Sequence, residues 1–500
     1  FDRSWQLLGD RERESLARLS VFRGGFTAEA ARTVAGAGLP VLGALVDKSL
    51  VRREGARMQL HPLVQQLAAL RLGEGTEAQA AHAAYFHHFL AHREDAGYRG
   101  EGGALGEIDA EFENVRRAWH FSVASGRGAL LRRDARTLND YCGHRARLGE
   151  GLALMRQALA SEEVGSEAGT RAVLLAFAAS LESRLDRYAE AQSAATEGLA
   201  AARAARAAAT QKKCLSVLAT CAMRLGRLAE SRVHLKRALA LAGDSRRPHE
   251  EAGLLDNLST LEKRLGHLDE ALRLGIEALA QYRRAGDSGG AALCLNNLGS
   301  LCIQRGELDA ALAYLQEAHG LCERDGLAGT HALVLANLAG LVLLRGELEA
   351  ARAYAERSLQ IAEPGGLRFL ACWLTARLAR VASRQGRAEE ARERLAAAAS
   401  SALALGTASP KVSVVAAFAE VLAAAGEAGA ARAVVALGLA IPSLNEADRK
   451  ELDLVAAGLP EAGRTKRATP KMPLDELFQR LVSEAGEGHA ALVAALRGRA

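Results

Sequence analysis

Proline occurs only nine times in 500 residues, and Phe, Trp and Tyr together make up 4% of the chain. A sequence poor in helix breakers and in strand-favouring aromatics, with Ala and Leu dominant, favours helix over sheet. No run of about 20 apolar residues occurs, so no membrane-spanning helix is expected, and no signal peptide opens the chain. The chain begins at Phe1 rather than Met, as the tail of a longer protein would. Neither sign of charge dominates: 64 basic and 59 acidic residues leave a net charge of +5. That is a solvated surface, not a polycation that coats nucleic acid. Seven Cys occur without a CxxC pairing. Cys214 and Cys294 share a position with Leu254, Val334 and Leu374, and Cys221 shares one with Leu261, Leu301 and Leu341. They read as core residues and reduced thiols, hence a soluble cytoplasmic protein. No Gly-Lys pair exists, so there is no GxxxxGK[ST] phosphate loop, and the chain alone is not expected to hydrolyse nucleotide. No Ser-His-Asp order or pair of flanking acids points to an enzyme.

What the chain does have is a period of 40. Gly226, Gly266, Gly306, Gly346, Gly386 and Gly426 mark it, with Asp186 one period earlier. Each Gly follows an apolar helical pattern and precedes a stretch such as "ELDAAL", so it closes one helix (A) and turns the chain into the next (B). Five residues later stands Ser231 or Ala271, Ala311, Ala351, Ala391, Ala431; twelve later Ala238, Ala278, Ala318, Ser358, Ala398. Eight residues before comes Leu218, Leu258, Leu298, Leu338, Leu378 or Phe418. These columns resemble the tetratricopeptide repeat, with longer helices than its usual period of about 34 requires. The resemblance covers residues 166–440, about seven 40-residue helix pairs, and implies a right-handed α-solenoid whose A helices line a concave wall. Asn257, Asn297 and Asn337 recur on helix A before the core Leu. They read either as a ladder clamping an extended peptide, since an amide offers both donor and acceptor, or as bonds between neighbouring helices. Arg264, Gln304, Arg305 and Arg345, near the A-helix ends, would add charge preference in the groove or stand as solvated helix ends. The expected partner is a peptide or protein.

Residues 1–75 read as helix, Gly-Gly turn, a helix capped by Thr27, a further helix, a hairpin around Gly55 and a last helix: a winged helix with a small β-hairpin. The helix in the recognition position, Val41–Lys48, is too apolar for base readout, so direct DNA binding is not expected. The stretches "SWQLLGDRERESLARLSVFRGGFTAEAA", "LGALVDKSLVRRE" and "MQLHPLVQQLA" resemble the winged-helix module of STAND-class signalling ATPases, the AfsR/MalT-like regulators related to NB-ARC proteins. That resemblance implies an upstream nucleotide-binding domain, with ADP or ATP as its cofactor, and a regulatory output of transcriptional kind. It places His61 of Leu60-His61-Pro62 at the family's nucleotide-sensing "MHD" position, although Pro62 stands where Asp is common. By composition alone His61 is a helix-start residue followed by a first-turn Pro.

Residues 76–165 form a helical connector with a Gly-rich break at Gly97–Gly106. Its "EIDAEFENVRRAWHF" resembles the Glu-x-x-Asn-x-Arg-x-Ala helix, bearing a Trp, that STAND regulators place before the array. His88 and His92 share a helix face, but no Cys or third ligand accompanies them and no metal is expected. Residues 441–500 comprise a basic linker (Arg464, Lys466, Arg467, Lys471) and two short amphipathic capping helices. The alternative to a sensor module is a stand-alone tetratricopeptide scaffold.

Overall fold

The structure, a computed structural model, describes residues 5–73, 77–93, 102–241, 248–441, 444, 446–460 and 473–483. The basic linker at 464–471 and the second capping helix lie outside them.

The N-terminal unit runs α1 (Asp10–Leu19), β1 (Phe26–Thr27), α2 (Ala28–Ala35), α3 (Leu39–Asp47), β2 (Val51–Glu54), β3 (Arg57–Leu60) and α4 (Pro62–Leu72). Gly55, at φ 62°, turns β2 into β3, and Thr27 caps α2 by accepting the Ala30 N–H. The third strand, β1, is too short to leave a sequence period. It forms because Phe26 pairs with Met58 in an antiparallel sheet ordered β1-β3-β2. Gly25 makes the approach possible: it sits at φ 93°, and a Cβ there would stand 2.9 Å from the Met58 carbonyl oxygen.

α5 (Glu77–Ala91) packs on α6 (Gly102–Ala124). Residues 102–106 of the Gly-rich stretch are already helical; residues 97–101 lie outside the described region. α6 joins the N-terminal unit to the helices that lead into the array. Asn114, fully buried, accepts from the Arg23 N–H at 2.6 Å and donates to the Gly25 carbonyl at 2.9 Å. Glu111 on the preceding turn pairs with Arg57 of β3. Further along, Trp119 donates its indole N–H to Leu154 O at 3.0 Å on α8, which comes after α7 (Gly128–His144) and spans Leu148–Ala160; the short α9 is Glu162–Gly165.

Seven helix pairs make up the array: α10 (Ala168–Arg184) with α11 (Tyr188–Ala204), α12 (Ala208–Arg224) with α13 (Leu228–Ala240), α14 (Pro248–Arg264) with α15 (Leu268–Ala285), and α16 (Ser288–Arg305) with α17 (Leu308–Asp325). The rest are α18 (Ala328–Leu344) with α19 (Leu348–Ala362), α20 (Arg368–Arg384) with α21 (Ala388–Leu405), and α22 (Ala408–Ala424) with α23 (Ala428–Leu439). The turn glycines sit between φ 75° and 83°. At each such turn an N–H returns to the A helix, as Glu307 N does to Cys302 O at 2.9 Å. Ala271, Ala311, Ala351 and Ala391 are wholly buried, as are Ala238, Ala278, Ala318, Ser358 and Ala398. Their small side chains let B helices approach their neighbours closely, while Leu298, Leu338, Leu378 and Phe418 fill the space between pairs. All seven Cys are free and buried; burial pushes the Cys221 thiol up to about 11, which suits packing rather than reactivity. Among the described residues the chain is thus all-α apart from one small sheet. No described helix is long and apolar enough to cross a membrane.

The array winds tightly enough to meet itself. Arg145, just after α7, donates to Gly326 O at 2.6 Å across 181 residues. Asp186 takes the turn position held elsewhere by Gly, at φ 60°. Its carboxylate accepts the Phe369 N–H at the start of α20 at 2.7 Å, 183 residues on, and the Tyr188 hydroxyl at 2.6 Å. It therefore caps a helix N-terminus one superhelical turn away. Gly143 and Gly329 approach backbone to backbone: a Cβ on Gly329 would lie 2.3 Å from the Gly143 carbonyl oxygen. At a 40-residue period this closure takes about four and a half repeats per turn. The remaining helices are α24 (Glu446–Gly458), packed on α22 and α23, and α25 (Leu474–Ser483), packed on α21.

Candidate ligand-binding channel

Successive A helices touch one another, so they line the inner wall of the winding, which is the candidate ligand channel. Asn257, Asn297 and Asn337 stand part-exposed on α14, α16 and α18. Their amide N–H groups donate to the preceding A helix: Asn257 to Ser216 Oγ at 3.0 Å, Asn297 to Asp256 Oδ2 at 2.9 Å, Asn337 to Asn296 Oδ1 at 2.9 Å. Each bond spans 41 residues, and Arg377 continues the column by donating to Ala336 O. The donors of the Asn column therefore hold the stack together. Each amide uses one of its two N–H donors in this way, which leaves its second N–H and its oxygen for a ligand. Asp256 is buried, and burial pushes its carboxyl up to about 6 despite the Asn297 hydrogen bond that opposes the shift.

Arg305 and Arg345 are both held in ion pairs. Arg305 pairs with Asp269 at 2.5 Å and Glu307 at 2.7 Å, and Arg345 with Asp309 at 2.6 Å. Both brace an A-helix end against the preceding B helix. Gln304 offers its backbone: its carbonyl accepts from Lys450 Nζ at 2.9 Å. That bond brings α24 back across the channel, where it also touches α14 and sets Glu451 3.8 Å from Arg380.

Arg264 is half-buried at the end of α14, and sequence reasoning missed its company. Arg184, Arg224 and Arg264 end α10, α12 and α14 at 40-residue spacing, and Lys263 adjoins the last. Arg264 keeps access to water yet is walled in by protein. Desolvation, then the nearby Arg224, bring its guanidinium down to about 10. Desolvation, Arg264 and Arg224, in that order, bring Lys263 down to about 8.

Elsewhere, His61 is exposed and caps α4, its Nδ1 accepting from the Leu63 N–H at 3.3 Å, with Pro62 in the first turn. His88 and His92 stand 2.9 Å apart on the surface. A second histidine pair was not anticipated: His331 and His319 approach to 2.8 Å, with Glu323 nearby. Its signal, His319 four residues before Glu323, is too common to single out. Lys48, the lone cation at the end of α3, is held by Glu12 at 2.6 Å.

Residues 250–324 match the family model for the tetratricopeptide repeat. No curated protein matches the chain in sequence. Among solved structures, the chain resembles a Signal Transduction ATPase with Numerous Domains (STAND) protein with a tetratricopeptide repeat sensor from Pyrococcus horikoshii: 16% identity, TM-score 0.51, 85% of this chain and 63% of that one. The chain thus spans less than two thirds of that protein's length. It also resembles a Rap protein complexed with Competence and Sporulation Factor: 15% identity, TM-score 0.51, 69% of this chain and 92% of that one. Repeat period, helix pairing and these likenesses agree on a tetratricopeptide-type solenoid, the architecture of a protein-interaction module.

Proposed function

We propose that this chain is the non-catalytic sensor portion of a STAND-type signalling regulator, its array taking a peptide, protein or small effector in the channel. The observation that carries the reading is the continuous mechanical path through α6. Asn114 and Glu111 grip the Gly24–Gly25 turn and Arg57 of the N-terminal unit, while Trp119 of the same helix is bonded to α8. A change in the winding of the array is thereby delivered to the N-terminal unit as a rigid-body movement. The fold likeness to a STAND protein covers 85% of this chain, more than the repeats alone occupy.

In this reading the helix–strand–helix–helix–hairpin unit is a winged helix serving as a coupler. Its α3 carries no free cation for DNA, since Lys48 is paired. His61, exposed at the start of α4, would face a nucleotide held by an upstream domain of the same protein. Effector binding favours whichever winding it fits better, and by linkage that state binds effector more tightly. The output would be regulatory, and the setting cytoplasmic.

The reading is tested by joining this chain to the coding sequence upstream of Phe1 and measuring nucleotide exchange. A GKS or GKT loop upstream, and faster ADP release on His61→Ala, are the expected results. An upstream sequence without a phosphate loop would reduce the chain to an interaction scaffold.

A further inference from the structure

The hairpin of α17 and α18 carries a side-chain cluster that the repeat does not call for. His319 and Glu323 stand four residues apart near the end of α17, so they share one helix face. His331 meets them from the first turn of α18. Its Nε2 lies 2.8 Å from His319 Nδ1, and the two ring centroids are 4.9 Å apart. His319 Nε2 lies 3.5 Å from Glu323 Oε2. The other carboxylate oxygen, Oε1, accepts from Arg357 Nη2 at 2.9 Å, which fixes the orientation of the carboxylate. One ligand-capable atom of each of the three residues lies within 4.8 Å of the others. His331 is buried, His319 half-buried and Glu323 exposed, so the cluster opens to solvent on its carboxylate side. One period away, the His319 position holds Leu279 and Leu359, and the His331 position holds Ala291 and Ala371. Packing alone is thus met by apolar side chains at these places, and two imidazoles gathered beside a carboxylate need another account.

We propose that His319, His331 and Glu323 form a zinc site, with water in the fourth position. Two imidazoles and one carboxylate are a donor set that zinc takes, and facing helices are where such sites are built. Magnesium and calcium want about six or more oxygen ligands, and the cluster offers a single carboxylate. An octahedral transition metal would need further ligands where Arg357 already flanks Glu323, whereas zinc completes a tetrahedron with one water. Zinc–nitrogen bonds of about 2.0–2.1 Å hold two tetrahedral ligands about 3.3 Å apart, so the rings need to part by only about 0.5 Å. The ligands also bracket the turn at which the winding closes. Gly326, whose carbonyl accepts from Arg145 at 2.6 Å, and Gly329, which meets Gly143, both lie between Glu323 and His331 in the chain. A metal that ties α17 to α18 fixes the hairpin that presents this seam, and so braces the closed winding.

This inference does not rest on the sensor reading or on an upstream ATPase. Its test uses the full chain carrying His88→Gln, which removes the surface histidine pair as a competing site. Zinc chloride is titrated into this parent by calorimetry at neutral pH, with thermal melts alongside, and cobalt(II) is substituted for visible absorption. One equivalent of zinc is expected to bind and to raise the melting temperature. The cobalt form should show the d–d absorption of a four-coordinate ion without a thiolate charge-transfer band. Removing a residue that merely orients a metal ligand costs about 10–100-fold in affinity, so His319→Gln should cost at least about 100-fold and Glu323→Gln at least about tenfold. These two positions carry the test because His331 is buried and its replacement risks the fold. Both variants should keep the parent's helical circular dichroism. Amide exchange at Gly326 and Gly329 should slow when zinc is added to the parent and stay unchanged in His319→Gln. The proposal is overturned if zinc leaves the parent's melt unmoved, if either variant binds zinc as the parent does, if cobalt shows a thiolate band, or if magnesium protects as well as zinc.

Discussion

The closure of the superhelix rests on a contact that can be broken with one methyl group. Gly329 is the second residue of α18, and its repeat position is held elsewhere by Phe369, Ala209 and Ser409, so nothing local requires glycine. In isolation Gly329→Ala should stabilise the helix by about 0.5–1 kcal/mol. The structure reverses that sign. The new Cβ would lie 2.3 Å from the Gly143 carbonyl oxygen, against roughly 3.3 Å for the closest carbon–oxygen approaches. Backbone faces backbone, so the seam must open by about 1 Å. The Arg145–Gly326 bond at 2.6 Å and the Arg184–Gly143 bond at 2.9 Å would both be strained. Overpacking of this kind costs about 1–3 kcal/mol, and weakened charge-assisted bonds add about 1 kcal/mol. A net loss of about 1–3.5 kcal/mol is expected after the helix gain is subtracted. Gly320, an exposed glycine inside α17 with nothing within 4 Å of its would-be Cβ, is the matched control. Thermal melts should fall for Gly329→Ala and rise for Gly320→Ala, and small-angle scattering should show a larger radius of gyration for the first alone. Equal melts for the two variants, or an unchanged radius for Gly329→Ala, would refute the closed winding.

Asn297→Ala should cost about 1–3 kcal/mol by orphaning buried Asp256. Because Asp256 is raised in the folded state to about 6, its protonated form favours folding, and that contribution fades as pH rises from 3.8 through 6. The variant's defect should therefore be larger at pH 7.5 than at pH 4.5, as urea titrations at the two pH values would reveal. Asn114→Ala should speed amide exchange at residues 23–27 while leaving exchange in α16 and α17 unchanged, since it loosens only the grip on the N-terminal unit. His331 is lowered to about 4, first by burial and then by His319 and Arg357. Its contribution is present above pH 6.5 and lost as pH falls towards 4, so His331→Gln should flatten the acid limb of the melting profile.

Much of this architecture is visible in the chain itself. Six turn glycines at one spacing, with small residues five and twelve positions on, fix the helix pairs, because each column answers a short-range need: a left-handed turn or a close helix approach. Thr27 and Gly55 likewise act on their own neighbours. The ligand site was less legible. Arg264 could be named as a groove candidate, but its nearness to Arg224 depends on how successive helices face one another. Arg305 and Arg345 carry the same side chain as Arg264, one or more repeats along and a single position later in the repeat. That one position places them against Asp269 and Asp309 of the preceding B helices.

The sequence by itself determined the repeat, the helical class, the capped helix and hairpin at the N-terminus, and the burial of the thiols. These arise from interactions within about one repeat, where side-chain volume and backbone preference suffice. Only the tertiary structure decided that the solenoid closes on itself, that Asp186 caps a helix 183 residues away, that each Asn of the column bonds to the preceding A helix, and that α24 returns to contact α14. Those outcomes come from small rotations summed over several pairs, and no single residue of a periodic chain records such a sum.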